Sequence, residues 1–154
     1  MGKLTQFGHQ FQIKIISALI TDRDFLQQSF DMISPDYFDN DAGKWVVKNT
    51  LIYFDKYKTI PTMEVFKVEV DKIKNEVQGV AVKELLKETY KSSTSNDLKF
   101  IKNTFLDFCK NQTLKNALMK SVDLLELGDY DDIRNLIDKA LKAGVERNIG
   151  HEYI

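Results

Sequence analysis

Residues 97–127 read DLKFIKNTFLDFCKNQTLKNALMKSVDLLEL, a stretch with neither proline nor glycine. Its apolar positions Leu98, Ile101, Phe105 and Phe108, then Leu114, Leu118, Val122 and Leu125, step by three and four residues. That spacing marks one face of an α-helix, which if unbroken spans roughly 45 Å. The polar run Lys110-Asn111-Gln112-Thr113 divides the stripe into two short heptad-like blocks. Together they exceed what one short neighbouring helix covers, so pairing with another subunit is expected.

Gly128-Asp129 ends this helix, and Tyr130, Ile133, Leu136, Ile137, Ala140 and Leu141 recur at helical spacing up to Ala143-Gly144. The expectation is a helical hairpin with a glycine turn. Over residues 123–138 six acidic side chains face Arg134 alone. Such a surface is ordinarily solvated, and it can also speed the docking of a basic partner.

Upstream, Gln10 to Ile20 carries Phe11, Ile13, Ile15, Ile16, Ala18, Leu19 and Ile20, which leaves little polar surface and predicts a largely buried helix. Thr21 with Asp24 has the form of a capping box opening a second helix through Phe25, Leu26, Phe30 and Ile33, ended by Ser34-Pro35. Pro35-Asp36-Tyr37-Phe38 reads as a turn pinning two aromatics inward. A third helix, Ala42 to Tyr57, holds so many apolar residues that it is expected at the centre of a bundle.

The segment after Ile60-Pro61 alternates like a strand over Phe66–Val70, yet Phe66, Val70, Ile73 and Val77 fit a helix. Thr62 as N-cap and the longer period favour helix. A further helix is expected over Val80 to Tyr90. The small polar cluster Lys91-Ser92-Ser93-Thr94-Ser95-Asn96 then marks a boundary. The predicted class is all-α, a small orthogonal helical bundle followed by a long helical hairpin. Residues 1–94 form the globular part, 95–144 the hairpin for subunit pairing, and 145–154 a tail without clear period.

Composition narrows the function classes. The 154 residues carry 22 Lys+Arg against 23 Asp+Glu, a net charge of -1, so no uniform field draws the chain onto nucleic acid or an anionic membrane. Seven glycines and two prolines suit helices. Cys109 is the single cysteine, which excludes an internal disulfide, and with only His9 and His151 the Cys/His zinc spacings are missing. No apolar run reaches the length of a membrane span and Met1 to Gln12 lacks a signal-peptide pattern, so a cytoplasmic protein with no membrane partner is expected.

No catalytic constellation can be assembled from the sequence. The Gly-Lys pairs at Gly2-Lys3 and Gly43-Lys44 are followed by Leu4 and Trp45, which a phosphate-cradling P-loop does not tolerate. A di-metal helical bundle would want Glu-x-x-His pairs, and none occurs. Cys109 beside Phe105 and Phe108 reads as a buried packing residue ahead of a nucleophile, with both histidines far off in sequence. Lys44, Lys48, Lys56 and Lys58 interleave with Trp45, Tyr53 and Tyr57, a combination suited to single-stranded nucleic acid. Asp41 and Asp55 dilute the strip and aromatics at this spacing ordinarily fill a core, so direct DNA binding by this chain is not expected.

With these pieces in place, the first hundred residues resemble the N-terminal domain of hexameric replicative DNA helicases of the DnaB-like family, in the form found in large tailed phages. The resemblance rests on Ile16-Ser17-Ala18-Leu19-Ile20 before Asp22, on Phe25, on Ser34-Pro35-Asp36-Tyr37-Phe38, and on Ile60-Pro61-Thr62 after the aromatic-rich helix. Downstream, Gly128-Asp129-Tyr130-Asp131-Asp132 leading into Ile137-Asp138-Lys139-Ala140-Leu141 is similar to the second arm of that family's hairpin. Ile149-Gly150-His151-Glu152-Tyr153 looks like the linker to the motor. Gln10-Phe11-Gln12 and Ser17 depart from the family's Glu-rich entry and its glycine inside the first helix.

The resemblance implies a collar domain without an ATPase site that dimerises through its hairpin, helps assemble a hexameric ring and docks a primase. Residues 145–154 would then begin the linker to an ATP-dependent motor starting after Ile154. This chain would hold no cofactor of its own, ATP and magnesium belonging to the motor. The host would be bacterial, with the gene carried by a phage or the bacterium. The expected subunit interface comprises Leu98, Ile101, Phe105, Phe108, Leu114, Leu118, Val122, Leu125, Ile133 and Ile137. The alternative is a free-standing helical adaptor or regulatory protein acting by protein–protein contact. The reading frame after Ile154 separates the two, a stop codon favouring the adaptor and a continuing P-loop motor the helicase.

Overall fold

The computed structural model describes residues 3–143 and is all-α over them, with seven α-helices and no strand among the described residues. They are α1 (His9–Thr21), α2 (Arg23–Ser29), α3 (Asp41–Tyr57), α4 (Met63–Asp71), α5 (Glu76–Lys91), α6 (Leu98–Glu126) and α7 (Tyr130–Lys142). The tail expected from 145 onward, with His151 and the linker-like Ile149–Tyr153, lies outside the described residues, as does Gly144. Two compact units are present, one of residues 3–27 with 34–102, the other of residues 28–33 with 103–143. The division therefore falls inside α6, beyond the serine cluster that marks a boundary in the sequence.

The first unit is organised by α1. Ile13, Ile15, Ile16, Ala18, Leu19 and Ile20 are all buried, and α1 packs on both α3 and α5. Six consecutive buried positions, Ile15 to Ile20, wrap the whole helix circumference, so this is the central helix. Helix α3 instead buries one side through Val46, Val47, Thr50 and Phe54, and keeps Ile52 and Tyr57 more than half exposed. The expectation of a central α3 is corrected: polar residues at Lys48, Asp55 and Lys56 give it a solvent face that its apolar content conceals.

Side-chain caps open α3, α4 and α5. Asn40 accepts from the Gly43 amide at 2.7 Å to start α3, Thr62 accepts from Val65 at 3.3 Å to start α4, and Asn75 accepts from Gln78 at 3.1 Å to start α5. The Asn75 cap divides the single pattern Phe66–Val77 into two helices and begins α5 earlier than Val80, leaving Val77 exposed. Thr21 is no cap: its hydroxyl donates to the Ser17 carbonyl inside α1, while the Asp22 carboxylate accepts from the Phe25 amide at 3.2 Å. Helix α2 is accordingly short, and Phe30 and Ile33 lie beyond it. The Pro35–Tyr37 segment is a 3-10 turn capped by Ser34, with Tyr37 and Phe38 buried as expected.

A polar tie from the buried Gln12 to the exposed Asp39 and Thr5 closes the N-terminal end of this unit. Gln12 donates to Asp39 Oδ2 at 2.7 Å and its carbonyl accepts the Asp39 amide at 3.0 Å, while Thr5 donates to Asp39 Oδ1. These charge-assisted bonds, Thr5 first, hold the Asp39 carboxyl below the ordinary carboxylate range.

In the second unit α6 runs without interruption through Lys110-Asn111-Gln112-Thr113, because none of these breaks a helix. Its end is a Schellman turn: the Gly128 amide bonds the Leu125 carbonyl at 3.0 Å and the Asp129 amide bonds the Leu124 carbonyl at 3.0 Å. Gly128 has φ +72°, a conformation costly for a side-chain-bearing residue. Helix α7 carries Asp131 and Asp132 in its first turn and Lys139 and Lys142 in its last, which complements the helix dipole.

Two stability predictions follow from this packing. Ile16→Ala should cost about 2–5 kcal/mol, since a buried aliphatic is removed with little room for collapse. Ser17 is fully buried in α1 with no protein partner for its hydroxyl, so Ser17→Ala should leave stability unchanged or raise it by up to about 1 kcal/mol. Urea denaturation measures both, and a marked loss in Ser17→Ala would reveal a hydrogen bond that the fold does not display.

Candidate functional site

The expected interface residues divide into two sets. Ile101, Phe105 and Phe108 are buried within the chain, and Cys109 beside them is fully covered. Burial pushes the Cys109 thiol far above its ordinary range, which removes the thiolate a nucleophile needs. Leu98, Leu114, Ile133 and Ile137 are half-buried. Leu118, Val122 and Leu125 stand 53%, 57% and 58% exposed.

These three exposed residues lie four and three positions apart, so they stack along one line of α6. Met119 and Leu127 are also exposed, as are Tyr130 and Leu141 of α7, but Met119 stands about a quarter-turn round the helix from that line and Leu127 lies past the end of α6. The buried positions of the same stretch are small, Ala117 on α6 and Ala140 on α7. Half of the long stripe therefore serves the chain's own core, and the other half is an apolar seam open to solvent. Periodicity alone could not separate them, because both halves share one spacing.

The turn below this seam is acidic. Hydrogen bonding to Asp132, with the negative charges of Asp132 and Asp131, holds the Asp129 carboxyl above its ordinary range. Among the described residues no group of three or more His, Cys, Asp or Glu side chains is placed to hold a metal ion. No helix of the described residues is long and apolar enough to cross a membrane.

In the first unit a second set of groups meets at the start of α2. Lys102 donates to Asp22 Oδ2 at 2.6 Å and lies 5.7 Å from the Phe25 ring centroid. Burial works against the Asp22 charge, but the Lys102 ammonium and the Phe25 amide outweigh it and hold the carboxyl below its ordinary value. Lys14 pairs with Asp97 at 2.8 Å, a second link from the early helices to the start of α6. Arg23 donates to the Lys58 carbonyl at 3.1 Å and lies over Phe54, securing the left-handed residue that ends α3. Asp22 and Asp97 are each paired with a lysine, and Arg23 is held by the Lys58 carbonyl and Gln27 Oε1, so the arrangement reads as structural.

Between α3 and α4 lies a groove of about 200 Å³ lined by Asn49, Ile52, Tyr53, Lys56, Tyr57, Pro61, Val65, Phe66 and Glu69. Tyr53 and Tyr57 are in ring contact at 4.6 Å between centroids. Trp45 and Tyr53 are half-buried and Tyr57 is 55% exposed. The expectation that these aromatics fill the core is corrected: α3 turns Val46, Val47, Thr50 and Phe54 inward, and the aromatics of the lysine strip lie on its outer flank.

No family model, curated protein or solved structure matches the chain. The functional reading accordingly rests on the chain's own residues.

Removing the Asp22 side chain should expose its double role. Asp22→Ala is expected to destabilise by about 1 kcal/mol at neutral pH through the lost cap, the partly exposed ion pair adding little. Because the folded-state carboxyl is depressed, its charge stabilises above the ordinary carboxylate range and that share is lost as pH falls through the lower folded value. Thermal melts of Asp22→Asn and wild type should therefore differ at pH 7 and converge at acid pH; a gap that widens on acidification would contradict the assignment.

Proposed function

We propose that this chain is a non-catalytic oligomerisation and docking module, the collar domain of a replicative DNA helicase of the DnaB-like type. In this reading α6 and α7 form the subunit-pairing hairpin, the full protein is a hexamer, and a primase docks on the collar. ATP and magnesium belong to the motor. The resemblance in the first hundred residues supports the family, and the solvent-open seam of Leu118, Val122 and Leu125 carries the oligomerisation claim.

The physical argument is the cost of leaving the seam uncovered. Full burial of a leucine or valine is worth about 1.5–3 kcal/mol, so each of these, a little over half exposed, forfeits roughly half of that, and a contiguous apolar row along one helix is the kind of patch that marks an interaction surface. A twofold pairing would place the row against its own copy, the self-complementary arrangement of most homodimers. Ile101, Phe105 and Phe108 support the chain from within in this arrangement, while the interface is made by the second block.

Light scattering of the chain tests the claim. A dimer forming in the micromolar range, equivalent to about 8 kcal/mol, is the expected result. Leu118→Glu with Val122→Glu should return a monomer of unchanged helical circular dichroism, whereas Phe105→Glu should lower the melting temperature. A strict monomer up to several hundred micromolar, about 5 kcal/mol on the same scale, would overturn the reading.

A further inference from the structure

The seam on α6 leaves the aromatic and basic flank of α3 without a role. Over residues 45–57, about 18 Å of helix, one side presents Trp45, Lys48, Asn49, Ile52, Tyr53, Lys56 and Tyr57, none of them buried. Lys48 and Lys56 are exposed and form no ion pair among the described residues, whereas Asp55 pairs with Lys58 at 3.8 Å and Glu69 with Lys72 at 3.2 Å. The acidic groups nearest the groove are thus partly neutralised, and its free charge is positive. Lys56 lies 5.2 Å from the Tyr57 ring centroid, so cation and ring face are already side by side.

We propose that this flank of α3, with the α3–α4 groove, binds single-stranded DNA, its bases stacking on Trp45, Tyr53 and Tyr57 and its phosphates meeting Lys48 and Lys56. Two features argue for this occupant over an apolar peptide. The unpaired lysines complement a polyanion, and Trp45 stands about 12 Å along the helix from the Tyr53–Tyr57 ring pair while the groove holds only about 200 Å³, room for flat rings and little else. Base stacking on aromatic side chains is sequence-tolerant and needs no deeper pocket. Asp41 stands at the start of α3 and bounds the track at that end. The choice of DNA over RNA rests on the replication reading above; the binding of a single strand does not.

Trp45 is the only tryptophan of the chain, so its fluorescence reports stacking at this site directly. The test titrates the full chain with oligothymidylate of about ten nucleotides at low salt. Saturable quenching with a dissociation constant of roughly 1–100 μM is expected, weakening with salt at a log–log slope of about −1.4, as two neutralised phosphates give on a single strand. Lys48→Glu with Lys56→Glu should weaken binding at least tenfold, and Tyr57→Ala about fivefold or more, the circular dichroism of each staying that of wild type. No quenching, equal quenching by polyglutamate, or binding indifferent to the paired lysine change would overturn the proposal. Tighter binding to oligouridylate would overturn the choice of DNA while leaving the oligomer state, and with it the collar reading, untouched.

Discussion

The first unit depends on the burial of α1 around its whole circumference. A helix with six successive buried positions can exist only if neighbours enclose it, and α3 and α5 do so. This constraint dictates the rest of that unit. The 3-10 turn at Pro35–Tyr37 delivers Phe38 to the core, the Gln12–Asp39 bonds satisfy the polar groups that enter with α1, and α3 is left with one face free. Ser17 is the one hydroxyl in this helix whose burial goes unanswered, a cost set against the apolar area gained around it.

Much of this was legible in the residues. The apolar stretch Ile13–Ile20, interrupted only by Lys14 and Ser17, announced a buried helix, the proline at 35 announced the turn, and the stretch without breakers from 97 to 127 announced the 29-residue α6. Competition between neighbouring caps was less legible. Thr21 and Asp22 both suit an N-cap, and α1 ended one residue later than the capping box implied because Thr21 could satisfy its hydroxyl on the preceding turn. Asn75 likewise divided a period that looked continuous from Phe66 to Val77. A cap is a single side chain, while periodicity averages over many, so the pattern outvoted the cap in the sequence and the cap won in the structure.

The candidate surfaces were legible only in outline. Spacing identified the stripe on α6, but which half meets the chain's own core depends on what lies beside it, and spacing carries no such information. The same limit applies to α3. Its aromatic content pointed to a core, yet Trp45, Tyr53 and Tyr57 occupy a flank, because four smaller residues of that helix already fill the contact with α1 and α5. Both surfaces owe their exposure to neighbours that finish packing before the apolar residues are used up.

The central claim is that the second half of α6 is a subunit surface, and methyl-resolved NMR on dilution tests it most directly. The account predicts that Leu118, Val122 and Leu125 methyl resonances shift or broaden as concentration rises, while Ile13 and Ile16 in the core of the first unit stay fixed. Concentration-independent resonances at all five positions, up to the millimolar range at which even interactions of about 4 kcal/mol become populated, would contradict it.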